Sequence, residues 1–453
     1  MMWPFNLMGN TFRHGIHPHD FKELTRHIAI QRMPFPDRVV LPLSQHTGAP
    51  SVPVVKVGDK VFRGQMIARP GGFVSSALHA SMTGTIVAMD LLPHPSGRLV
   101  ESMVIERDPL SPQTLFREHA TDWELLSPKD LLTMISNGGF VGLGGAAFPT
   151  HVKLSVPEGK KASFLIVNGV ECEPYLTSDH RQMLESIDDI ILGIRVTRKV
   201  LDVERIYIGI ESNKEDAIEL LAKNIPADLN CQVIPLKVKY PQGAEKMLTE
   251  AVLNKEIPSG KLPIDIEVII NNVGTVAGIG RMMITGQPLI ERVVTVTGPG
   301  INRPANLLIP IGTPLNEVLD YCGGLKDTTR QILFGGPMMG APQLQLDVPV
   351  MKGTSGILCL TEEEVFDREE YPCIRCLRCV DACPVSLNPS LLGALAIKRH
   401  YEEMLDYHIL DCMECGSCSY VCPSNIPLVQ RFRVAKGLNR ERMAKKAAQT
   451  KSA

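Results

Sequence analysis

The sequence predicts a multidomain α/β protein, and three patterns carry that reading. The first ~120 residues are rich in Val, Pro, Gly and Ser and break into short alternating apolar segments, as β structure with frequent turns requires. From Ser127 to about Pro288 helical and strand patterns alternate, the mark of a parallel sheet covered by helices. The C-terminal part carries one cysteine pattern twice. With 453 residues and 44% apolar content there is material for about three or four domains, each able to bury its own core.

In chain order, residues 52–57 and 85–88 are strand candidates of the N-terminal module. His14, His17 and His19 form a short triplet, but Pro18 and the absence of a matching cluster nearby make loop packing the expectation. Ser127-Pro128 supplies a cap and a first-turn proline, and Leu131, Leu132, Met134 and Ile135 give the helix that follows an apolar face. Strands are expected at 164–167, 206–210, 233–238 and 266–270, with helices at 213–223 and 243–254. Residues 291 to about 350 turn β-rich again, with VVTVTG and glycine pairs at Gly323-Gly324 and Gly335-Gly336. After Glu362-Glu363-Glu364 a charged linker leads into the cysteines. Between the two runs, Asn388-Pro389-Ser390 caps a helix carrying Leu391, Leu392, Leu395 and Ile397.

A formal net charge of −2 gives no global basic field, which argues against nucleic acid as a partner. No stretch reaches the ~18 uninterrupted apolar residues of a membrane span, so the expectation is a soluble or peripheral protein. Residues 431–453 carry Arg431, Arg433, Lys436, Arg440, Arg442, Lys445, Lys446 and Lys451 against Glu441 alone. A solvated helix end is the default reading of that tail; an anionic membrane surface or acidic partner is the other.

Eight of the twelve cysteines fall in two runs of C-x2-C-x2-C-x3-C, at 373–383 and 412–422, each followed by proline. This spacing wraps three thiolates around a [4Fe-4S] cubane, and in two-cluster ferredoxins the fourth Cys of each run ligates the other cluster. The expected sets are Cys373, Cys376, Cys379 with Cys422, and Cys412, Cys415, Cys418 with Cys383. Zinc is the rival, since C-x2-C pairs also build structural Zn sites, but it has no use for two identical runs ending in Cys-Pro. Disulfides fit less well, because the chain shows no signal peptide and clustered thiols of this kind read as metal or redox ligands. Cys172, Cys231, Cys322 and Cys359 lack such spacing and read as small buried hydrophobes.

The second chemical signal is the glycine-rich loop from Gly142 to Thr150. Gly142, Gly144 and Ala147 formally satisfy G-x-G-x-x-A, but a dinucleotide fingerprint must follow a strand, and here a helix precedes the loop. Its backbone N–H groups could still cradle a phosphate; a tight turn between two elements is the plainer alternative.

Two resemblances add to these readings. VKVGDKVFRGQMIA followed by HASMTGTIVAM resembles the barrel-sandwich fold of biotinyl and lipoyl carrier domains, with Ser81-Met82-Thr83 where a modified lysine would project, so a structural or docking role is expected rather than a swinging arm. GLGGAAFPTHVKL, NGVECEP (168–174) and INNVGT (270–275) occur in the order found in the flavin-binding NADH dehydrogenase subunit of respiratory complex I. With the N-terminal module and the cysteine runs, nearly the whole chain resembles the family of C subunits of Rnf (Rsx) ion-translocating NADH:ferredoxin oxidoreductase complexes.

The resemblance implies an N-terminal barrel-sandwich hybrid domain over 1–125, a Rossmann-like domain binding non-covalent FMN and NAD(H) over 126–288, an SLBB-type β-grasp domain over 289–360, and a two-cluster ferredoxin-like α domain with a basic tail over 361–453. It further implies that Gly142, Gly144, Gly145 and Lys153 contact the flavin phosphate, that Asn168 sits by the ribityl chain or ring, and that Asn271, Asn272 and Thr275 complete the pocket. Phe148 would pack on the nicotinamide nucleotide, and Glu171 and Glu173 would lie near it. The complex I motif G-R-G-G-A-G-F-P-T-G is altered here to Leu143, Ala147 and His151, and an expected acid is Val170. Losing the arginine removes a strong phosphate donor, leaving a weaker site or a charge supplied from elsewhere.

Flavin accepts hydride and releases single electrons, and clusters carry them singly, so the chain would be a two-to-one electron converter with no general-base triad. As part of an ion pump without a spanning segment of its own, it would be peripheral on the cytoplasmic face of the bacterial inner membrane. It would be held there by integral and peripheral partner subunits and exchange electrons with ferredoxin or an iron–sulfur partner. The rival readings are a cobalamin reductase, the diaphorase subunit of a soluble hydrogenase, and a non-catalytic iron–sulfur electron wire.

Overall fold

The computed structural model describes residues 10–116, 122–365 and 368–452. Residues 1–9 and 117–121 of the expected N-terminal domain, Phe366 and Asp367 of the expected linker, and the side chain of Lys451 in the basic tail lie outside the described residues. The chain forms two compact units. Among the described residues, one comprises those within Asp20–Leu236 and Pro263–Val365; the other combines residues 10–19, the segment Lys237–Leu262 and residues 368–452.

In the larger unit, the N-terminal module is built on a four-stranded antiparallel sheet in the order Arg38–Pro42, Leu99–Arg107, Gly84–Pro93, Lys60–Val61, with a second sheet of Val52–Pro53, Met66–Arg69 and Leu78–His79. Val39, Leu41, Val61, Ile67, Ile86, Met103 and Ile105 fill its core, and burying such aliphatic side chains is the main favourable contribution to its folding. Met82 is fully buried, so the hairpin position where a carrier lysine would project faces inward. The expected strand at 52–57 stops at Pro53: Gly58 has φ +93, and the Asp59 side chain accepts from Lys56 N–H, forming a turn instead.

The next layer is a parallel sheet in the order Cys231–Leu236, Arg205–Glu211, Phe164–Gly169, Val268–Asn272. The expected strand at 266–270 begins later because Pro263–Ile266 forms a 3-10 turn and Glu267 adopts φ +65. Strand order reverses between Phe164–Gly169 and Val268–Asn272, and open α/β sheets bind ligands in the crevice beyond the carboxyl ends of the strands at such a point. Helices Ile187–Leu201 and Val273–Thr285 pack backbone to backbone: a Cβ on Gly193 would lie 1.9 Å from the Val276 carbonyl oxygen, and one on Gly280 1.9 Å from that of Asp189. Gly280→Ala is accordingly expected to cost about 1–3 kcal/mol by overpacking, read as a lower thermal midpoint. An unchanged midpoint would show that the two helices can separate without loss.

A mixed six-stranded sheet completes this unit, in the order Ile30–Arg32, Ala305–Pro310, Glu291–Thr297, Gly356–Thr361, Thr329–Phe334, Ala341–Pro342. Helix Leu315–Tyr321 contributes Leu315, Val318 and Leu319 to a core that also buries Cys322 and Cys359, while Cys172 and Cys231 are half-buried.

The smaller unit is helical around the cysteine runs. His14 and His17 bond through Nδ1 to the carbonyl oxygens of Asp381 and Val238, at 3.0 and 3.1 Å, as loop packing requires. Helix Leu428–Ser452 buries Phe432 and Ala435 against Leu392, Leu395 and Met404. Several tail cations are paired within the unit: Arg431 with Glu370, Arg433 and Lys436 with Glu414, and Arg442 with Glu402. The start of the basic tail is thus part of the fold as well as a charged surface.

Candidate functional site

Local sequence repeats become local structural repeats around the cysteines. Positive φ occurs at Arg375, Leu377 and Ser386 in the first run and at Glu414, Gly416 and Asn425 in the second, the same offset that separates Cys373 from Cys412. Short helices Arg378–Asp381 and Ser417–Tyr420 follow in matching positions, then the longer Pro389–Ile397 and Leu428–Ser452. Left-handed residues between ligands turn successive peptide N–H groups inward. The Arg375 N–H lies 3.4 Å from Cys373 Sγ and the Leu387 N–H 3.3 Å from Cys383 Sγ.

The runs exchange their fourth cysteines. Cys373, Cys376, Cys379 and Cys422 line one cavity of about 80 Å³, walled also by Ile374, Leu377, Ile397 and Ile426. Burial pushes the Cys379 thiol up, and the charges it feels next are those of Cys422, Cys373 and Cys376. In the second set, burial pushes Cys412 up to about 11 and raises Cys418 as well, with Cys383 and Cys415 close enough to add to both. The first quartet rings an open space, as a multi-atom cubane requires. A bound cationic metal centre would bring such thiols down to thiolates. The two sets differ in access. Tyr371 to Arg378 is exposed throughout, whereas Cys383, Cys415 and Cys418 are buried.

In the larger unit the three flavin-type motifs converge at the reversal of strand order. Asn168 and Asn272 pair in register at the carboxyl ends of neighbouring strands. The glycine loop is pinned by Gly142 N–H to Phe148 O (2.8 Å), Thr150 N–H to Phe140 O (3.0 Å), and Leu143 N–H to Thr275 Oγ (2.9 Å). Asn272 caps helix Val273–Thr285 by accepting from the N–H groups of Gly274 and Thr275. Lys153 Nζ donates to Ile270 O at 3.2 Å, and Asn168 Oδ1 accepts from Val170 N–H. Gly144 and Gly145 are exposed and Phe148 is half-buried. A Cβ on Gly145 would meet nothing within 4 Å, so space stands open before the loop. Asn271 is buried with its Nδ2 donor unpaired. An orphaned amide and an open glycine cradle at a switch point fit a bound flavin nucleotide.

The two acids are engaged within the fold. Glu171 accepts from Asp179 N–H (2.9 Å), His180 N–H (3.3 Å) and Ser178 Oγ (3.1 Å), capping helix Ser178–Glu185. Glu173 accepts from Met338 and Met339 N–H, and burial pushes it up to about 7. Other residues around this crevice carry no local sequence signal. Leu143 is buried, and beneath it Arg292 donates to its carbonyl oxygen at 3.3 Å, a cation placed under the loop that lost its own arginine. Asp179 accepts from Asn272 Nδ2 at 2.7 Å; burial, then the charge of Glu171, pushes it up to about 7.

Comparison with known proteins agrees with this geometry. Four domain families match in chain order: the RnfC barrel sandwich hybrid domain over 10–109, the Nuo51 FMN-binding domain over 135–281, the SLBB domain over 293–342 and the 4Fe-4S dicluster domain over 372–426. The chain is 46% identical over 434 residues to the C subunit of the proton-translocating ferredoxin:NAD(+) oxidoreductase complex of Clostridium ljungdahlii, covering 96% of this chain and 95% of that one. It is 44% identical over 431 residues to the C subunit of the Na(+)-translocating complex of Acetobacterium woodii, covering 95% and 97%. Over 449 residues it is 40% identical to the C subunit of the ion-translocating oxidoreductase complex of Rhodobacter capsulatus, covering 97% and 85%. Matched at these identities over nearly its whole length, the chain belongs to the family of C subunits of ion-translocating ferredoxin:NAD(+) oxidoreductase (Rnf) complexes.

Proposed function

We propose that this chain is the peripheral NAD(H)-side electron-transfer subunit of a membrane-bound ion-translocating oxidoreductase, passing electrons between NAD(H), FMN and two [4Fe-4S] clusters. The observation that carries it is the pair of crossed cysteine quartets on the same chain as a glycine-cradled crevice at a switch point. When bound, FMN exchanges hydride on one side and single electrons on the other, and each cluster carries one electron. The chain's residues do the holding. Gly142, Gly144, Gly145 and Lys153 would hold the flavin phosphate, with Arg292 supplying positive charge from below. Asn168, Asn271, Asn272 and Thr275 would orient the rest, and Phe148 would pack against the nicotinamide nucleotide. Glu171 and Glu173 would serve the site by fixing the walls around it, since their oxygens are taken by backbone donors.

No helix among the described residues is long and apolar enough to cross a membrane. Attachment would therefore run through other subunits, on the cytoplasmic face where NAD(H) is found, with ferredoxin or an iron–sulfur protein of the same complex as the exchange partner. The N-terminal module, matched over 10–109, weighs against a cobalamin reductase. Anaerobic reconstitution tests the rest: about eight irons, one FMN and bleaching of the visible spectrum by NADH are expected. Iron without FMN or bleaching would leave only an electron wire, and zinc in place of iron would overturn both.

A further inference from the structure

The segment Lys237–Leu262 leaves the parallel sheet after Leu236 and returns to it before Val268, yet it belongs to the compact unit of the cysteine runs. It grips the second run twice. Asp411, next to Cys412, accepts from Lys246 Nζ at 3.0 Å, from Ser259 Oγ, and from Gly260 N–H at 3.4 Å. Deeper in, the Tyr240 hydroxyl donates to the Cys415 carbonyl oxygen at 2.6 Å. Tyr240 is 1% exposed, and its backbone is fixed by paired 2.9 Å hydrogen bonds with Ile16.

We infer that Tyr240 is a positioning residue that raises the reduction potential of the cluster held by Cys383, Cys412, Cys415 and Cys418. The inference rests on the reading of these thiols as cluster ligands. A buried carbonyl oxygen beside a cluster is a fixed negative partial charge, and reduction adds a further negative charge next to it. The phenol proton compensates that oxygen and polarises the Cys415–Gly416 peptide, strengthening its N–H as a donor within the turn that wraps the quartet. Both effects favour the reduced state, and hydrogen bonding and solvent access are the levers by which proteins set cluster potentials. A phenylalanine would fill the same volume, so the hydroxyl contributes a polar interaction beyond packing. The first run, exposed from Tyr371 to Arg378, is open to water instead, and identical spacing can thereby yield two different potentials.

The test is an EPR-monitored redox titration of the full chain reconstituted with iron and sulfide. Wild type must first show two clusters; if it does not, the ligand reading fails before Tyr240 is at issue. In Tyr240→Phe, the midpoint of the buried cluster alone is expected to fall, with iron content unchanged, while Ser259→Ala, which removes an anchor of the same run without changing charge or touching the Cys415 peptide, shifts neither. Unchanged midpoints in Tyr240→Phe, equal shifts in both clusters, loss of iron, or the same shift in Ser259→Ala would each reduce Tyr240 to a scaffold residue and overturn the inference.

Discussion

Cys383→Ala is expected to destroy the cluster of the opposite cysteine run, not that of its own. Cys383 follows Cys379 in sequence, yet it is buried among Cys412, Cys415 and Cys418, while the cavity lined by Cys373, Cys376 and Cys379 takes its fourth thiol from Cys422. Iron should fall from about eight to about four per chain. The remaining EPR spectrum should superimpose on that of Cys415→Ala, and Cys422→Ala should pair with Cys376→Ala. The surviving cluster in Cys383→Ala would be the exposed one, so it should yield its iron quickly to a chelator, whereas the cluster left in Cys422→Ala should resist. The opposite pairing of spectra would refute the crossing.

That result would bear on a feature already legible in the sequence, because three ligands of each set lie at short-range spacing that a linear pattern contains, and the duplication with its repeated fourth cysteine points to the exchange. The parallel sheet was legible for a similar reason: 164–167 and 206–210 are apolar runs that only the centre of a covered sheet can bury, and both lie inside observed strands. The flavin motifs could be placed in order but not assembled, since what joins Asn168 to Asn272 is the reversal of strand order. Residues doing their work through long-range burial left no trace. Arg292 stands in a strand pattern, and nothing in its neighbours says that it reaches the Leu143 carbonyl. Lys352 is fully buried, its ammonium matched to Ser76 Oγ and to the carbonyl oxygens of Ala77 and Gly139 at 3.2, 2.7 and 2.7 Å. Tyr240 reads from sequence as one more aromatic between a strand and a helix. The excursion that carries it into the cysteine unit is a fact of chain path, which hydrophobic periodicity does not record.

Gly144→Val should weaken flavin binding at least about tenfold while leaving the protein folded and its iron in place. The choice of glycine matters. Gly145 has φ +109, where a β-branched residue is strained, so a loss there would mix folding with binding. Gly144 is exposed outside that region, and a Cβ added to it meets nothing closer than Asn272 at 3.7 Å, an ordinary van der Waals contact. The chain itself therefore has room for the added Cβ, and with the thermal midpoint unchanged a loss of flavin reports on what occupies the space in front of the loop. If that occupant is the FMN phosphate held by backbone N–H groups, two methyls in the cradle should weaken FMN by at least about tenfold, roughly 1.4 kcal/mol. NADH-dependent bleaching should fall with flavin occupancy, and the thermal midpoint should stay close to that of wild type. Retained FMN with undiminished bleaching would show that the loop is only a turn. Because flavin and iron are read separately, the variant also isolates the electron path: clusters that still accept electrons from dithionite but no longer from NADH place the flavin between nicotinamide and iron.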